Sequence, residues 1–290
     1  MKRICEDYFT NYVLEKKGLV YTRTHNNIHN FDYMKNESPT VVCVTGYNSI
    51  LTFFFTNLIH KLKDGILLII IESDIINLRK EWLDNPKLKC CYTWNKPFFH
   101  DKLFGLPIGL NKDRHDASIE KALSTYDLTE KSDKLLCVQF STSTDKQRST
   151  IRDKAQNEWN SFCDTIPYVN PIKSFSKHSY ADGRIDVPVS DPQCYKIMSK
   201  YAFVLSPRGA GEDTHRTWEA LYVGCIPIVL SSSLDELYQD LPVVVVNNWD
   251  EITKDFLEEK IIEHKSRKEK NQYCMEKLCF DYWVNRMETI

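Results

Sequence analysis

With 290 residues, 42% of them apolar and 27% charged, the chain has room for two ordinary domains and the composition of a folded globular protein. Its 38 basic and 40 acidic side chains nearly cancel to a formal charge of −2, which supplies no basic field for nucleic acid. The ten cysteines are scattered apart from the adjacent Cys90 and Cys91, with no Cys-x-x-Cys pair to hold zinc; they read as reduced, buried thiols. Glu6 and Asp7 stand where a secretory signal needs an apolar run. No stretch approaches the roughly 20 apolar residues of a transmembrane helix. A cytoplasmic location is therefore expected.

Short β-branched runs alternate with helix-length amphipathic stretches, the pattern of parallel α/β layers. Residues 41–45 read as a strand ending at Gly46, 50–62 as a helix, and 66–71 as a buried strand that runs into Glu72, Ser73 and Asp74. Further short strands are expected at 89–93 and 106–108. A polar stretch over 111–134 then separates the halves, with 127–134 as the linker. The pattern restarts with a strand at 135–140 and a helix at 144–159. Asp191 fits as the cap of a helix through Lys200. A strand at 201–205, a helix at 214–223 ended by Gly224, and a strand at 226–230 follow. A short helix at 234–238, a strand at 243–246 and a helix from 249 to 260 or beyond come next. The charged run 264–270 reads as a solvated turn, and 272–287 as a last helix with Met275, Leu278, Tyr282 and Trp283 as a core stripe. Two domains are expected, 1–130 and 131–290, facing a cleft, with the last helix free to pack back on the first.

The most informative segment is 201–229. A strand delivers a loop with Gly209 and Gly211, and the loop opens a helix. Glycines let backbone amides approach an anion, and a helix N-terminus adds a favourable dipole. Arg208 and Arg216 bracket the loop, and arginine suits bidentate phosphate contact. His215 and Glu219 lie four apart on one helix face, which places a carboxylate one turn from the phosphates, suited to ribose hydroxyls. These are the parts of a nucleoside-diphosphate site. The alternative is structural: Arg208 and Glu219 form an ion pair that stabilises the turn. A dinucleotide enzyme fits poorly, because Thr214 replaces the third glycine of that fingerprint and the strand at 226–230 ends in serines. Tyr273-x-x-x-Lys277 has an epimerase-like spacing, but it lies far along the chain from any such loop.

Residues 206–229, with Pro207-Arg208-Gly209-x-Gly211, Asp213-x-His215-Arg216-x-Trp218-Glu219-Ala220 and Gly224-Cys225-Ile226-Pro227-Ile228, resemble the core motif of exostosin-like glycosyltransferases. Looser likeness covers Trp94-Asn95, Lys102, 106–110, Val138 to Ser141 with Arg148, and 234–249. Ala210 departs from the larger polar residue common there. The resemblance implies a GT-B fold of two Rossmann-like domains and a UDP-sugar donor, with UDP-xylose favoured. It also implies transfer to a glycan acceptor with inversion, and a short soluble form like those of large DNA viruses of algae and protists. Carried over by residue, Arg208 and Arg216 hold the diphosphate with the Gly209 and Gly211 amides, and Glu219 binds the ribose. Arg148 either reaches the phosphates or is a solvated helix charge. No metal and no separate cofactor are expected, since the arginines supply the positive charge. An inverting reaction needs a base from the first half. Asp74 beyond the 66–71 strand is the candidate, with Glu72, His100 and Asp101 as rivals and a surface or capping role as the plainer alternative. His25 and His29 are candidates for the acceptor groove. A non-catalytic sugar-nucleotide-binding module would carry the same residues. Replacing Arg208 or Glu219 by alanine is expected to abolish transfer with little change in the melt. Oligomeric state is not legible.

Overall fold

The computed structural model describes residues 2–5, 7–22, 26, 39–166 and 192–289. Two five-stranded sheets, parallel throughout, form the frame. The first holds β1 (Leu19–Tyr21), β2 (Val41–Thr45), β3 (Ile66–Ile71), β4 (Leu88–Thr93) and β5 (Leu103–Gly105), side by side in chain order. The second holds β6 (Leu136–Val138), β7 (Cys163–Thr165), β8 (Phe203–Leu205), β9 (Ile226–Leu230) and β10 (Val244–Val246), in the order β10-β9-β8-β6-β7. All six residues of β3 are buried, as the continuous apolar run requires of a strand covered on both faces. Its side chains alternate between cores. Ile66, Leu68 and Ile70 join an outer cluster with Leu51, Phe54 and Leu58, while Leu67, Ile69 and Ile71 face inward.

The helices are α1 (Tyr8–Glu15), α2 (Asn48–Phe53), α3 (Lys80–Leu83), α4 (Lys112–Thr125) and α5 (Gln147–Asn157) in the first part of the chain. They continue with α6 (Pro192–Met198), α7 (His215–Tyr222), α8 (Asp235–Tyr238), α9 (Lys254–Glu269) and α10 (Phe280–Thr289). The expected helix over 50–62 is α2 continued by a π turn at Phe54–Leu58 and a 3-10 turn at Ile59–Lys61.

One apolar cluster runs through the middle of the molecule. It joins Val20, Cys43 and Ile69 of the first sheet to Cys137, Val204 and Val229 of the second, with Trp218, Leu221 and Trp283 between. The two halves therefore share a core layer. The last helix packs on the first half: Phe280 meets Phe9 and Tyr8 edge-on at 5.1 and 5.5 Å, and Glu288 pairs with Lys16 at 2.6 Å.

Several elements differ from expectation. The strand expected at 106–108 lies at Leu103–Gly105, leaving 106–109 as a loop that reaches the second half. The polar stretch at 111–134 contains α4, which is anchored by a stripe only one residue wide: His115, Ile119 and Ala122 are buried. The charged run 264–270 continues α9 to Glu269 rather than turning, because His264 is buried against Tyr273 while its neighbours face out. Met275 is 44% exposed and leaves the expected core stripe, whose members Leu278 and Trp283 are buried. Asp191, His25 and His29 lie outside the described residues.

Candidate functional site

Strand order locates the crevice. From β6 the chain crosses to β7 on one side and then returns to β8 on the other. The loops after β6 and β8 therefore leave the sheet in opposite directions and open a gap at its carboxyl edge. The first sheet, built in chain order, has no such point among its described strands. The segment 206–214 follows β8 and feeds α7, so the sequence-predicted loop stands at the switch point.

Arg148, in the first turn of α5, braces that gap. Its Nε donates to the Arg208 carbonyl at 2.7 Å, Nη2 to the Pro207 carbonyl at 2.8 Å, and Nη1 to the Ser141 carbonyl at 3.1 Å. One buried guanidinium thus ties the loop after β6 to the loop after β8. Of the two expectations for Arg148, a solvated helix charge is excluded by its burial; these three hydrogen bonds go to the loop backbone.

The loop closes on itself elsewhere. The Gly209 amide donates to the Gly211 carbonyl at 2.9 Å, so in this conformation it is not presented to an anion. Gly211 is required for steric reasons, because a Cβ there would sit 2.4 Å from Asn95 Nδ2. Ser206 Oγ lies 2.9 Å from Thr214 Oγ1 and 2.8 Å from Thr217 Oγ1, pinning the loop to the first turn of α7.

The two bracketing arginines both reach the segment after β6. Arg216 Nη1 donates to Gln139 Oε1 at 3.1 Å, at the start of that segment. Arg208, with a side chain 40% exposed, pairs with Glu212 and lies 3.7 Å from Asp145. Its partners are these two carboxylates rather than Glu219, which removes the expected alternative of an Arg208–Glu219 pair. Arg216 makes the contact with Glu219 instead, at 3.8 Å.

Glu219 is buried within a polar cluster. Its Oε1 is 3.2 Å from His115 Nδ1 and 3.4 Å from the Tyr195 hydroxyl. Burial pushes its pKa up, but the His115 hydrogen bond and the Arg216 charge outweigh burial and hold it below the ordinary value. Burial beside that carboxylate drives the Tyr195 hydroxyl pKa far upward, so it stays a neutral donor. His215 turns away from Glu219 to the first half, with Nδ1 2.7 Å from the Gly109 carbonyl.

Sequence reasoning missed the partners from the first half. Asn95, with φ +46°, accepts the Asp213 amide on Oδ1 at 2.7 Å. Asp213 is buried and accepts from the Ile108 amide at 2.8 Å, the Trp218 indole at 2.9 Å and the Tyr238 hydroxyl at 3.0 Å. His115 supplies the contact with Glu219. The carboxyl edge of the first sheet, through residues after β4 and β5, thus meets the loop after β8. The available signal was Asn95 beside Trp94, a pair within the looser likeness; nothing near His115 announced it.

Asp74 lies beyond β3, is exposed, and makes no hydrogen bond or ion pair with 206–219 among the described residues. Glu72 is buried at the strand end with φ +57°, a left-handed backbone that is costly away from glycine. His100 pairs with Asp84 at 3.3 Å. Asp101 is exposed. None of these groups joins the cluster around Glu219.

Two halves, each a five-stranded parallel sheet with helices, whose carboxyl edges meet across a switch-point loop make this an α/β protein of GT-B type. No protein-family model and no curated protein sequence matches the chain. Among solved structures it is similar to an alpha-glucosyltransferase in complex with UDP and a DNA containing a HMU base. There the identity is 12%, with 96% of this chain and 93% of that one covered and a TM-score of 0.43. It is also similar to MnaA of S. aureus in complex with UDP, at 11% identity, 87% and 72% coverage and a TM-score of 0.34. Likeness at this level leaves function to be read from the site.

Proposed function

We propose that this chain is a glycosyltransferase that takes a sugar from a UDP-sugar and passes it to a glycan hydroxyl. The observation that carries the reading is the reach of both Arg208 and Arg216 to the segment after β6, across the switch point of the second sheet. Two guanidinium groups at one crevice suit a diphosphate, and positive charge at the departing diphosphate is what sugar transfer requires. Arg208 exchanges its partners at little cost, since a half-exposed ion pair is worth only about 0–1 kcal/mol. Donor charge supplied by arginines supports a metal-independent reaction. UDP-xylose, inversion, the exostosin-like kinship and a cytoplasmic setting, that of a host cell for a viral protein, complete the reading.

Asp74 is the proposed base, because it is exposed at the carboxyl edge of the first sheet and carries no competing partner among the described residues. Calorimetry with UDP tests the donor site. Wild type binds, and Arg208→Ala loses tenfold or more, about 1.4 kcal/mol; equal binding by both overturns the assignment. Glu219→Ala is the poorer probe, contrary to the expectation of an unchanged melt. Its loss strips His115 and Arg216 of their buried partner, which costs about 3–5 kcal/mol. In hydrolysis and transfer assays with UDP-xylose, UDP-glucuronate, UDP-galactose and UDP-N-acetylglucosamine, Asp74→Asn retains UDP binding and lowers turnover about 10²–10⁴-fold. Unchanged turnover removes Asp74 as the base.

One observation favours a second reading, a non-catalytic nucleotide-sugar-binding module. The loop is internally satisfied, with Arg208 held by Glu212 and the Gly209 amide by Gly211. UDP binding with no turnover of any donor would select it.

A further inference from the structure

His115 comes from α4 and is buried against Glu219 of α7 and Tyr195 of α6. Its Nδ1 faces the carboxylate at 3.2 Å and the Tyr195 hydroxyl at 3.1 Å. A carboxylate only accepts, so Nδ1 carries a proton, and in the neutral imidazole Nε2 is then an acceptor. That Nε2 is buried and has no hydrogen-bond partner among the described residues. Such an acceptor is uncommon in a folded protein and signals a missing donor.

Glu219 is only partly free to read hydroxyls itself. Its Oε1 already serves His115 and Tyr195, and its Oε2 faces Arg216 at 3.8 Å. We propose that the His115 imidazole accepts a hydrogen bond from the donor's ribose, with Glu219 as the positioning residue that fixes the ring and its tautomer. The inference rests on the nucleotide-sugar reading above and moves the ribose contact from Glu219 to His115. Helix geometry supports it. From His215 to Glu219 the axis rises about 6 Å, the kind of span that separates a nucleotide's phosphates from its sugar hydroxyls. A group held at Glu219 is thus at ribose depth when a diphosphate sits at the start of α7.

The test uses UDP, 2′-deoxy-UDP and 3′-deoxy-UDP, titrated calorimetrically into the full chain and into His115→Asn. Asparagine keeps a donor for Glu219 near the Nδ1 position and lacks Nε2. Wild type is expected to bind one deoxy form about 5–30-fold more weakly than UDP. His115→Asn is expected to bind UDP more weakly by a similar factor and to lose that discrimination. Wild type that treats all three alike, or a variant that still discriminates fully, overturns the ribose contact while leaving UDP binding intact. No UDP binding by wild type overturns the nucleotide reading itself and the inference with it. A variant that fails to fold is bypassed in wild type by the ¹⁵N shift of His115 Nε2. It moves on adding UDP and moves less with the discriminated deoxy form; no movement overturns the proposal.

Discussion

The two sheets are alike in strand number and parallel pairing, yet only the second has its strands out of chain order. In the first sheet each crossover steps to the next neighbour, so successive loops fan over one edge with no gap between them. In the second, the step back across β6 parts the loops after β6 and β8. Every polar feature of interest in the second half gathers at that parting: Arg148 beneath it, Arg208 and Arg216 across it, and Glu219 one turn into α7. Topology, more than the glycines, sets where the chemistry sits. The first half contributes by meeting that loop with Asn95 and Ile108, and Glu219 of α7 with His115.

Removing the brace from the second sheet should have the largest effect. Arg148→Ala deletes three hydrogen bonds to carbonyls of two different loops. It should cost about 2–4 kcal/mol, because buried acceptors lose charge-assisted donors. Urea unfolding measures that loss, and UDP binding should fall with it. Arg148→Lys should recover little, since one ammonium lacks the planar fork that spans three carbonyls. A stability change below about 1 kcal/mol, the scale of one ordinary hydrogen bond, would mean that the gap holds its shape without the brace.

The strands at 41–45, 66–71 and 226–230 were legible to the residue, because short apolar runs rich in β-branched residues mark parallel strands buried on both faces. The loop before α7 was equally legible from Pro207, Gly209, Gly211 and Arg216. Glu219 was found for its position on the helix, but its partners were not. They come from His115, 104 residues away in sequence, and Tyr195, and no local pattern encodes a long-range hydrogen bond. The helix α4 escaped notice because its buried stripe, His115, Ile119 and Ala122, is one residue wide, and only two of the three are apolar. Gly211 was read as a place where an anion comes close; in the structure an asparagine from the other half comes close to it, a neighbour no local pattern announces.

That neighbour offers a smaller test, directed at the junction of the two sheets. A methyl group at residue 211 collides with the Asn95 amide, whose Oδ1 accepts the Asp213 amide. Gly211→Ala should therefore cost about 1–3 kcal/mol, as overpacking of a tight contact does. In an Asn95→Ala background the same substitution should cost markedly less, and a double-mutant cycle by urea denaturation measures the coupling. Additive losses would show that Gly211 answers to something other than Asn95.

The smallest effect is confined to acid and concerns Glu219, where α4 of the first half meets α7 of the second. Its folded pKa lies below the ordinary 4.5, since burial, which opposes the carboxylate, is outweighed by His115 and Arg216 together. Between that folded value and 4.5 the native carboxylate stays ionised while the unfolded one takes up a proton. The unfolded state binds more protons there, so the stabilisation is complete above about pH 4.5 and is lost as pH falls through the folded pKa. Glu219→Gln keeps an oxygen for His115 but has no proton to gain, and should show a flatter decline in its urea midpoint below that pH than wild type does. Parallel declines would mean that acid attacks the junction through other carboxylates, and that Glu219 is held by packing and hydrogen bonds rather than by its charge.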